Sequence, residues 1–316
     1  MTVAAALKSE LRVPLLTRLK AWWNGSEIVL RRIESERKLA APARQVIGAP
    51  DPNRPWETPR VVLAQMLWGA GFSHPGGAEE ALKLAKPFAL NPAMTVVDLA
   101  AGLGGGARAM VDAFGVWVSG YEVDRELAAA GMQLSAQVGQ AKKAEISSFH
   151  PDELDLRPTS VDCVICRELL HKVADKARLL QVVEQALRPK GQIILTDVML
   201  AAPDRAESAM VKAWQRCTGS TAELWPLDQY TLALGAGNLE VRITEDVSAA
   251  YRQLVLKGWG DLTRTIGGSR LDHRLAQCLV DELERWMRLV AAIDAGDLKL
   301  FRIYARKPGT KTLSDW

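Results

Sequence analysis

Residues 96–108 read Val-Val-Asp-Leu-Ala-Ala-Gly-Leu-Gly-Gly-Gly-Ala-Arg, a short apolar run followed by a turn rich in glycine. The run predicts a β-strand over Met94 to Ala100, and the residues after the glycines predict a helix over Ala107 to Phe114. Glycine allows positive φ and lets a ligand come close to the main chain. Because the free amides of a helix start attract polar groups, this turn predicts a small-molecule site at the carboxyl edge of a parallel sheet.

The composition is that of an ordinary globular protein. The chain has 316 residues, of which 48% are hydrophobic and 24% are charged. Its 40 basic and 37 acidic residues give a net charge of +3, which is too balanced to favour nucleic acid as a partner. No run approaches the ~20 apolar residues of a membrane span, and no signal-peptide pattern opens the sequence. A cytoplasmic location is therefore expected.

Two of the four cysteines, Cys163 and Cys166, form a C-x-x-C pattern that in other contexts binds a metal. Here they lie in a predicted buried strand, Val161 to Cys166, where side chains three residues apart point to opposite faces. We therefore expect buried thiols that pack as small apolar groups, with no metal site and no disulfide framework.

Residues 1–60 predict an N-terminal helical extension that ends in a proline-rich linker. Within residues 1–40, apolar side chains recur at helical spacing, at Leu7, Leu11, Leu15, Leu19 and Trp22. The pattern favours a helix that packs on the domain or on a second subunit, so a homodimer is one expectation. The alternative is peripheral contact of residues 1–40 with a membrane surface.

Strands and helices alternate from residue 94 onward, which predicts a mostly parallel, seven-stranded sheet with helices on both faces. The strands expected after the first are Trp117 to Val123, Lys143 to Ser147, Val161 to Cys166, Gln192 to Val198, Leu239 to Asp246 and Leu298 to Ala305. The helices expected after the first are Arg125 to Gln137, Lys176 to Leu187, Ala206 to Thr218, Pro226 to Leu234 and Leu271 to Ala295. The predicted domain covers residues 61–310, with a helical lid insertion at about 250–296.

Two acidic residues indicate which ligand suits the glycine turn. Asp98 lies where it would repel a pyrophosphate but would meet the amino group of a methionine moiety. Glu122 follows the next strand, where a carboxylate can accept both hydroxyls of a ribose. The acid at Glu122 fits NAD as well as S-adenosylmethionine, whereas Asp98 favours S-adenosylmethionine. Adenine is expected beside the third strand, near Glu145, Ile146 or Phe149.

The glycine turn and the sequence Leu187-Arg188-Pro189-Lys190-Gly191 before the fifth strand resemble motifs of the class I S-adenosylmethionine-dependent methyltransferases, of the type 11-like group. In that family an acid precedes G-x-G-x-G, and Ala100 here replaces the first glycine. The resemblance implies a Rossmann-like fold and S-adenosylmethionine as cofactor. The cofactor contacts it implies are Asp98, Ala100, Gly102, Gly104, Gly105, Glu122, Glu145 and Arg167. Because alanine is the mildest replacement for glycine, binding is expected to survive if φ at residue 100 is negative.

A narrower resemblance links the chain to the phosphoethanolamine N-methyltransferases. It rests on Gly71-Phe72-Ser73-His74-Pro75-Gly76-Gly77, Cys166-Arg167-Glu168 and Thr196-Asp197. In that family a tyrosine of the first motif and a histidine after the fourth strand form a catalytic pair. This chain has Phe72 and Val198 in the places of two family tyrosines, and His171 lies near the place of the histidine. These departures imply an acceptor that is less charged than a phospho-base.

The predicted reaction is methyl transfer to a small-molecule acceptor. Positioning supplies much of the rate in such a displacement, and a base is needed only when the acceptor must lose a proton. His171 and Glu168 follow the fourth strand and are the predicted catalytic residues. Phe72 and Trp214 are predicted to line the acceptor pocket. A nitrogen acceptor is one expectation. The alternatives are a carbon or oxygen methyltransferase of a lipid or quinone-like acceptor, and a cofactor-binding scaffold without turnover.

Overall fold

A computed structural model describes residues 46–309 of the chain. The predicted helix within residues 1–40, with the membrane or subunit contacts expected of it, lies outside the described residues. Among the helices of residues 46–309, none has the length and apolar character that crossing a membrane requires.

The main sheet has seven strands, as the sequence predicted. They are β1 (Thr95–Leu99), β2 (Trp117–Glu122), β3 (Ala144–Ser148), β4 (Val161–Arg167), β5 (Leu187–Leu200), β6 (Glu240–Asp246) and β7 (Leu298–Arg306). Their order in the sheet is β3-β2-β1-β4-β5-β7-β6. Strands β1 to β5 are parallel, whereas β7 is antiparallel to β5 and β6. The carboxyl ends of β1, β2, β4 and β5 therefore meet at one edge.

Nine α-helices occur in residues 46–309. They are α1 (Pro59–Trp68), α2 (Gly77–Ala85), α3 (Gly105–Phe114), α4 (Arg125–Gln137), α5 (Lys176–Ala186), α6 (Ala209–Thr218), α7 (Leu227–Ala236), α8 (Ser248–Thr265) and α9 (His273–Asp294). Side chains of β1 alternate between two apolar clusters, as the pleat requires. Val96 packs with residues of α2, α3 and α4, while Val97 and Leu99 pack with residues of α5 and α7. The prediction of helices on both faces is confirmed.

The two cysteines of β4 follow the same alternation. Cys163 packs in the Val96 cluster and Cys166 in the Val97 cluster, and both are buried. Burial raises the pKa of Cys163 to about 12 and that of Cys166 well above its usual value. Both thiols are therefore protonated apolar packing groups on opposite faces of the sheet, as their spacing predicted.

Helices α8 and α9 lie between β6 and β7, inside the predicted insertion. The sequence pattern had indicated only the second of them. Helix α9 buries a stripe at helical spacing, formed by Leu275, Leu279, Leu283 and Met287. The stripe packs in a third cluster with Trp68 of α1, Trp214 of α6 and Val198 of β5. The inserted helices, α1 and α6 therefore together cover the carboxyl end of β5.

Candidate functional site

The glycine turn between β1 and α3 has a left-handed backbone at several positions. φ is 66° at Ala100, 58° at Gly102 and 72° at Gly104. The amide of Gly102 donates to Glu122 Oε2 at 2.7 Å, which fastens the turn to the end of β2. Helix α3 begins at Gly105, two residues before the predicted start, so its first amides belong to the turn.

The backbone at Ala100 differs from the expectation. Cofactor binding was expected to survive the replacement of glycine by alanine if φ here were negative. The observed φ of 66° is instead in the region that favours glycine. The methyl group of Ala100 is buried at the wall of the site cavity. The replacement of the family glycine is therefore a source of backbone strain, not a neutral change.

Replacing Ala100 with glycine is expected to raise the free energy of unfolding by about 0.5–1 kcal/mol, because strain relief exceeds the added entropy of the unfolded chain. Ala101 has no positive φ and is buried in an apolar cluster, so Ala101→Gly is the matched control and should destabilise. Urea denaturation of both variants measures the difference. Equal destabilisation by the two glycines would contradict the assignment of strain to residue 100.

The loop between α1 and α2, residues 69–76, covers the start of α3. An ideal Cβ on Gly105 would lie 2.5 Å from Phe72 Cδ1 and 2.5 Å from the carbonyl oxygen of Gly71, so only glycine fits there. The ring of Phe72 packs against the backbone of Gly105. It does not line the cavity, although the sequence predicted it in the acceptor pocket. Ser73 and His74 line it instead.

Asp98 lies buried beneath the turn. Neither of its carboxylate oxygens has a hydrogen-bond partner among the described residues. Burial raises the pKa of Asp98 to about 6, and the Arg167 guanidinium, with Nη2 3.8 Å from Oδ2, acts in the opposite direction. Buried polar groups are almost always paired in proteins, so this carboxylate is suited to the ammonium group of a ligand. Arg167 is buried beside it and does not line the cavity, so its predicted cofactor contact stays a prediction.

Glu122 ends β2 at the wall of the cavity. Its second oxygen, Oε1, accepts from the amide of Asp124 at 2.9 Å. Burial raises the pKa of Glu122, and its two bonds from backbone amides act in the opposite direction. Each carboxylate oxygen keeps a lone pair that can accept a further hydroxyl. Glu122 thus has the lone pairs that the predicted ribose contact requires.

Glu145 occupies a different place from the one expected. It lies on the exposed side of β3, paired in register with Ser119, and does not line the cavity. Because side chains alternate along a strand, its neighbour Ile146 points to the turn instead. Ile146 Cγ1 lies 2.7 Å from an ideal Cβ on Gly104. None of the three alternatives for the adenine side, Glu145, Ile146 and Phe149, lines the cavity, so this contact stays a prediction.

His171 forms a buried pair with Asp197 of β5. Nδ1 of His171 lies 2.5 Å from Asp197 Oδ1, and the backbone amide of His171 donates to Oδ2 at 2.8 Å. The Tyr230 hydroxyl donates to Oδ2 at 2.8 Å, and the amide of Val198 donates to Oδ1 at 2.9 Å. Burial lowers the pKa of His171, although Asp197 acts in the opposite direction. The ring is thus neutral at neutral pH, with its proton on Nδ1 and with Nε2 as the acceptor.

Glu168 directly follows β4 and also lies at the cavity. Its φ of 52° is unusual for a residue other than glycine. The Tyr251 hydroxyl of α8 donates to Glu168 Oε2 at 2.6 Å. Burial raises the pKa of Glu168, whereas the bond from Tyr251 acts in the opposite direction. An inserted helix therefore helps to hold one of the two predicted catalytic side chains.

A cavity of about 160 Å³ joins these groups. Its polar and loop residues include Ala100, Gly102, Glu122, Glu168 and His171, and its aromatic walls include Trp68, Trp214 and Trp286. The ring centroids of Trp214 and His171 are 5.4 Å apart. The structure thus brings Ala100 and Gly102 of the turn, both predicted catalytic residues and Trp214 to one space. Asp98, Gly104 and Gly105 do not line this cavity, so their predicted cofactor contacts stay predictions.

Several site residues had no local signal in the sequence. Trp68 and Trp286 come from α1 and α9, and Tyr230 and Tyr251 come from α7 and α8. Only tertiary packing brings them to the sheet edge. Asp197 did carry a signal, since it follows Thr196 in a motif of the resembled family, but its contact with His171 was not predicted.

The comparisons with known proteins agree with this geometry. The methyltransferase domain family matches residues 77–242, just over half of the chain. The chain is 30% identical over 135 residues to phosphoethanolamine N-methyltransferase 2 of Caenorhabditis elegans, across 42% of this chain and 30% of that protein. It is 27% identical over 151 residues to dimethylglycine N-methyltransferase of Parasynechococcus marenigrum (strain WH8102), across 41% of this chain and 52% of that protein.

The structural likeness extends further along the chain. Phosphoethanolamine N-methyltransferase 2 of Haemonchus contortus, solved in complex with S-adenosyl-L-methionine, superposes with a TM-score of 0.69 at 19% identity, across 81% of this chain and 59% of that one. The two curated relatives are matched over about half of their length or less, so the comparison concerns a domain. The family match and the order of the seven strands show that the chain belongs to the methyltransferase domain family, with the class I fold.

Proposed function

We propose that this chain is an S-adenosylmethionine-dependent methyltransferase that acts on a small molecule with a nitrogen acceptor. The observation that carries the proposal is the meeting of the glycine turn and the His171–Asp197 pair in one cavity. The names of the two curated relatives, both N-methyltransferases, support the nitrogen acceptor.

The residues around the turn fit this cofactor. The carboxylate of Asp98, which accepts no hydrogen bond from the described residues, would hold the ammonium of its methionine part, and Glu122 would accept hydrogen bonds from its ribose. The first amides of α3 would meet its carboxylate. When bound, S-adenosylmethionine supplies a methyl group on a sulfonium.

His171 would prepare the acceptor. An amine must lose its proton before its nitrogen lone pair is available, and Nε2 of the neutral imidazole can take that proton. Asp197 then stabilises the imidazolium through the 2.5 Å contact with Nδ1.

A second candidate is methylation of carbon or oxygen in a lipid or quinone-like acceptor. The three tryptophans of the cavity favour it, because aromatic walls suit an apolar ring or chain. We also propose that residues 61–310 form the methyltransferase domain with α8 and α9 as its lid. The cytoplasmic location, and the homodimer or membrane contact of residues 1–40, are further proposals that rest on the sequence alone.

Two measurements test the proposed function. Calorimetry with S-adenosylmethionine is expected to show binding at one site per chain, and absence of binding would overturn both enzyme candidates. Cofactor labelled in the methyl group, offered with amine, phenol, quinol and lipid acceptors, then identifies the acceptor. Labelling of amines only would favour the nitrogen proposal, and labelling of quinols or lipids only would favour the second candidate. Binding with no transfer to any class would leave the scaffold alternative.

Replacing Glu122 with alanine is expected to weaken S-adenosylmethionine binding by about 1.5–3 kcal/mol, because charge-assisted bonds to the ribose are lost. Glu145→Ala is the matched control, since the structure places Glu145 on the exposed side of β3. Calorimetry should show the loss for residue 122 and unchanged binding for residue 145. If Glu145→Ala weakened binding and Glu122→Ala did not, the cofactor contact predicted from sequence for Glu145 would hold and that for Glu122 would be wrong.

A further inference from the structure

Three tryptophans line the cavity that also contains His171 and Glu168. We call this group the aromatic box and define it as Trp68, Trp214, Trp286 and Glu168. Its tryptophans come from three separate helices, α1, α6 and α9. The box therefore exists only because the inserted helix α9 folds over the sheet edge.

The aromatic rings of the box are held by one another. The centroids of Trp68 and Trp286 are 5.1 Å apart in an edge arrangement, and Tyr251 lies 6.2 Å from Trp286 behind it. Trp68 and Trp214 are buried, so their rings are fixed by packing. Rigid aromatic faces around a small space attract cations through the ring quadrupole.

Glu168 is the charged residue of the box, and its backbone is strained. Its backbone has a positive φ of 52°, a conformation that is strained for a residue with a side chain. Tyr251 donates to Oε2, while no donor among the described residues bonds Oε1. Strained residues persist where the surrounding structure fixes them, often at ligand sites. One carboxylate oxygen is thus left for a ligand.

The arginines at the cavity are already paired with acids. Arg60 Nε lies 3.0 Å from Asp124 Oδ2, and Arg285 Nη1 lies 2.8 Å from Glu282 Oε1. Lys172, which also lines the cavity, is exposed at its rim. The charges of Lys172 and of Arg167 oppose the effect of burial and lower the pKa of Glu168. Arg167 lies outside the cavity lining and is already near Asp98, with Nη2 3.8 Å from Oδ2. Within the aromatic box itself, the carboxylate of Glu168 is the charged group.

We propose that the aromatic box binds an organic ammonium ion, with Glu168 as its counter-ion, Tyr251 as the residue that positions Glu168, and the three tryptophans around its alkyl groups. The inference deepens the proposed function, because it makes the acceptor a cationic alkylamine recognised by its charge. It differs from a phospho-base site, where an anionic group is the main contact. His171, at the edge of the box, would take a proton from the same nitrogen.

Calorimetry without S-adenosylmethionine tests the box directly. Tetramethylammonium and choline are the probes, and 3,3-dimethylbutan-1-ol is the neutral control with the shape of choline. Choline is expected to bind at least about tenfold more tightly than the neutral alcohol. Glu168→Gln should weaken choline binding by about tenfold or more, and Tyr251→Phe by a smaller factor. Glu240→Gln, on the exposed edge strand β6, should change nothing.

Equal binding of choline and the neutral alcohol would overturn the proposal, as would unchanged binding in Glu168→Gln. If Glu168→Gln fails to fold, Trp286→Leu and Tyr251→Phe provide the same comparison between charged and neutral probes. The same measurements distinguish failure of the proposed methyl transfer from failure of the aromatic box to bind ammonium. Choline binding without methyl transfer to any amine would refute the reaction and keep the box, whereas transfer to amines without ammonium binding would do the opposite.

Discussion

Replacing Asp197 with asparagine is expected to lower kcat for methyl transfer by about 10²–10⁴-fold. In the native structure the carboxylate holds the proton of His171 on Nδ1, at an Nδ1–Oδ1 distance of 2.5 Å. An asparagine amide can donate to Nδ1 instead. Nε2 would then carry the proton and could no longer accept one from the acceptor. Single-turnover transfer of a labelled methyl group measures the effect, since it is independent of product release.

The other groups around Asp197 provide the controls. Tyr230→Phe removes one of the four hydrogen bonds that the carboxylate accepts and leaves the other three. We expect a much smaller loss, with a higher pKa of His171 because the carboxylate is then shared among fewer donors. A His171→Gln, Asp197→Asn double variant should be no slower than the slower single variant, since the two residues act as a unit. Near-native kcat in Asp197→Asn would exclude His171 as the base.

Local patterns in the sequence predicted the sheet and the place of the glycine turn between β1 and α3. The strand, turn and helix around Asp98 are continuous in the chain, and the period of the apolar residues sets which face each side chain takes. Cys163 and Cys166 show how far this argument reaches, because their spacing alone placed them on opposite faces.

The acceptor side could not be predicted in the same way. Trp286 and Tyr251 lie on helices more than 80 residues from Glu168, and only the packing of α8 and α9 brings them together. Phe72 was misplaced because the sequence does not reveal that its ring packs on the backbone of Gly105. The positive φ of Ala100 depends on the turn as a whole, so residue type gave the wrong expectation there.

Replacing Asp98 with asparagine is expected to stabilise the free protein while it weakens cofactor binding. The pKa of Asp98 is raised from 3.8 to about 6, so the folded state disfavours the charged form. The resulting penalty is absent below the unfolded pKa and fully present above the folded one. At about pH 7 the variant should gain on the order of 2–3 kcal/mol in free energy of unfolding, and below about pH 4 no gain is expected. Urea denaturation of both proteins across this range measures the difference.

The same variant should bind S-adenosylmethionine about 10–100-fold less tightly, because a charged hydrogen bond to the ammonium is lost. Saturating cofactor gives the internal control. A ligand stabilises only the folded protein that binds it, so it should reduce or reverse the advantage of the variant in the same denaturation experiment. A stability difference that is constant across pH would contradict the raised pKa of Asp98, because a raised pKa makes the difference depend on pH. A difference that depends on pH but is insensitive to cofactor would mean that Asp98 is an ordinary buried acid without a ligand contact. A difference that the cofactor reduces or reverses would show that this carboxylate, unfavourable in the free protein, is stabilised by the ligand it holds.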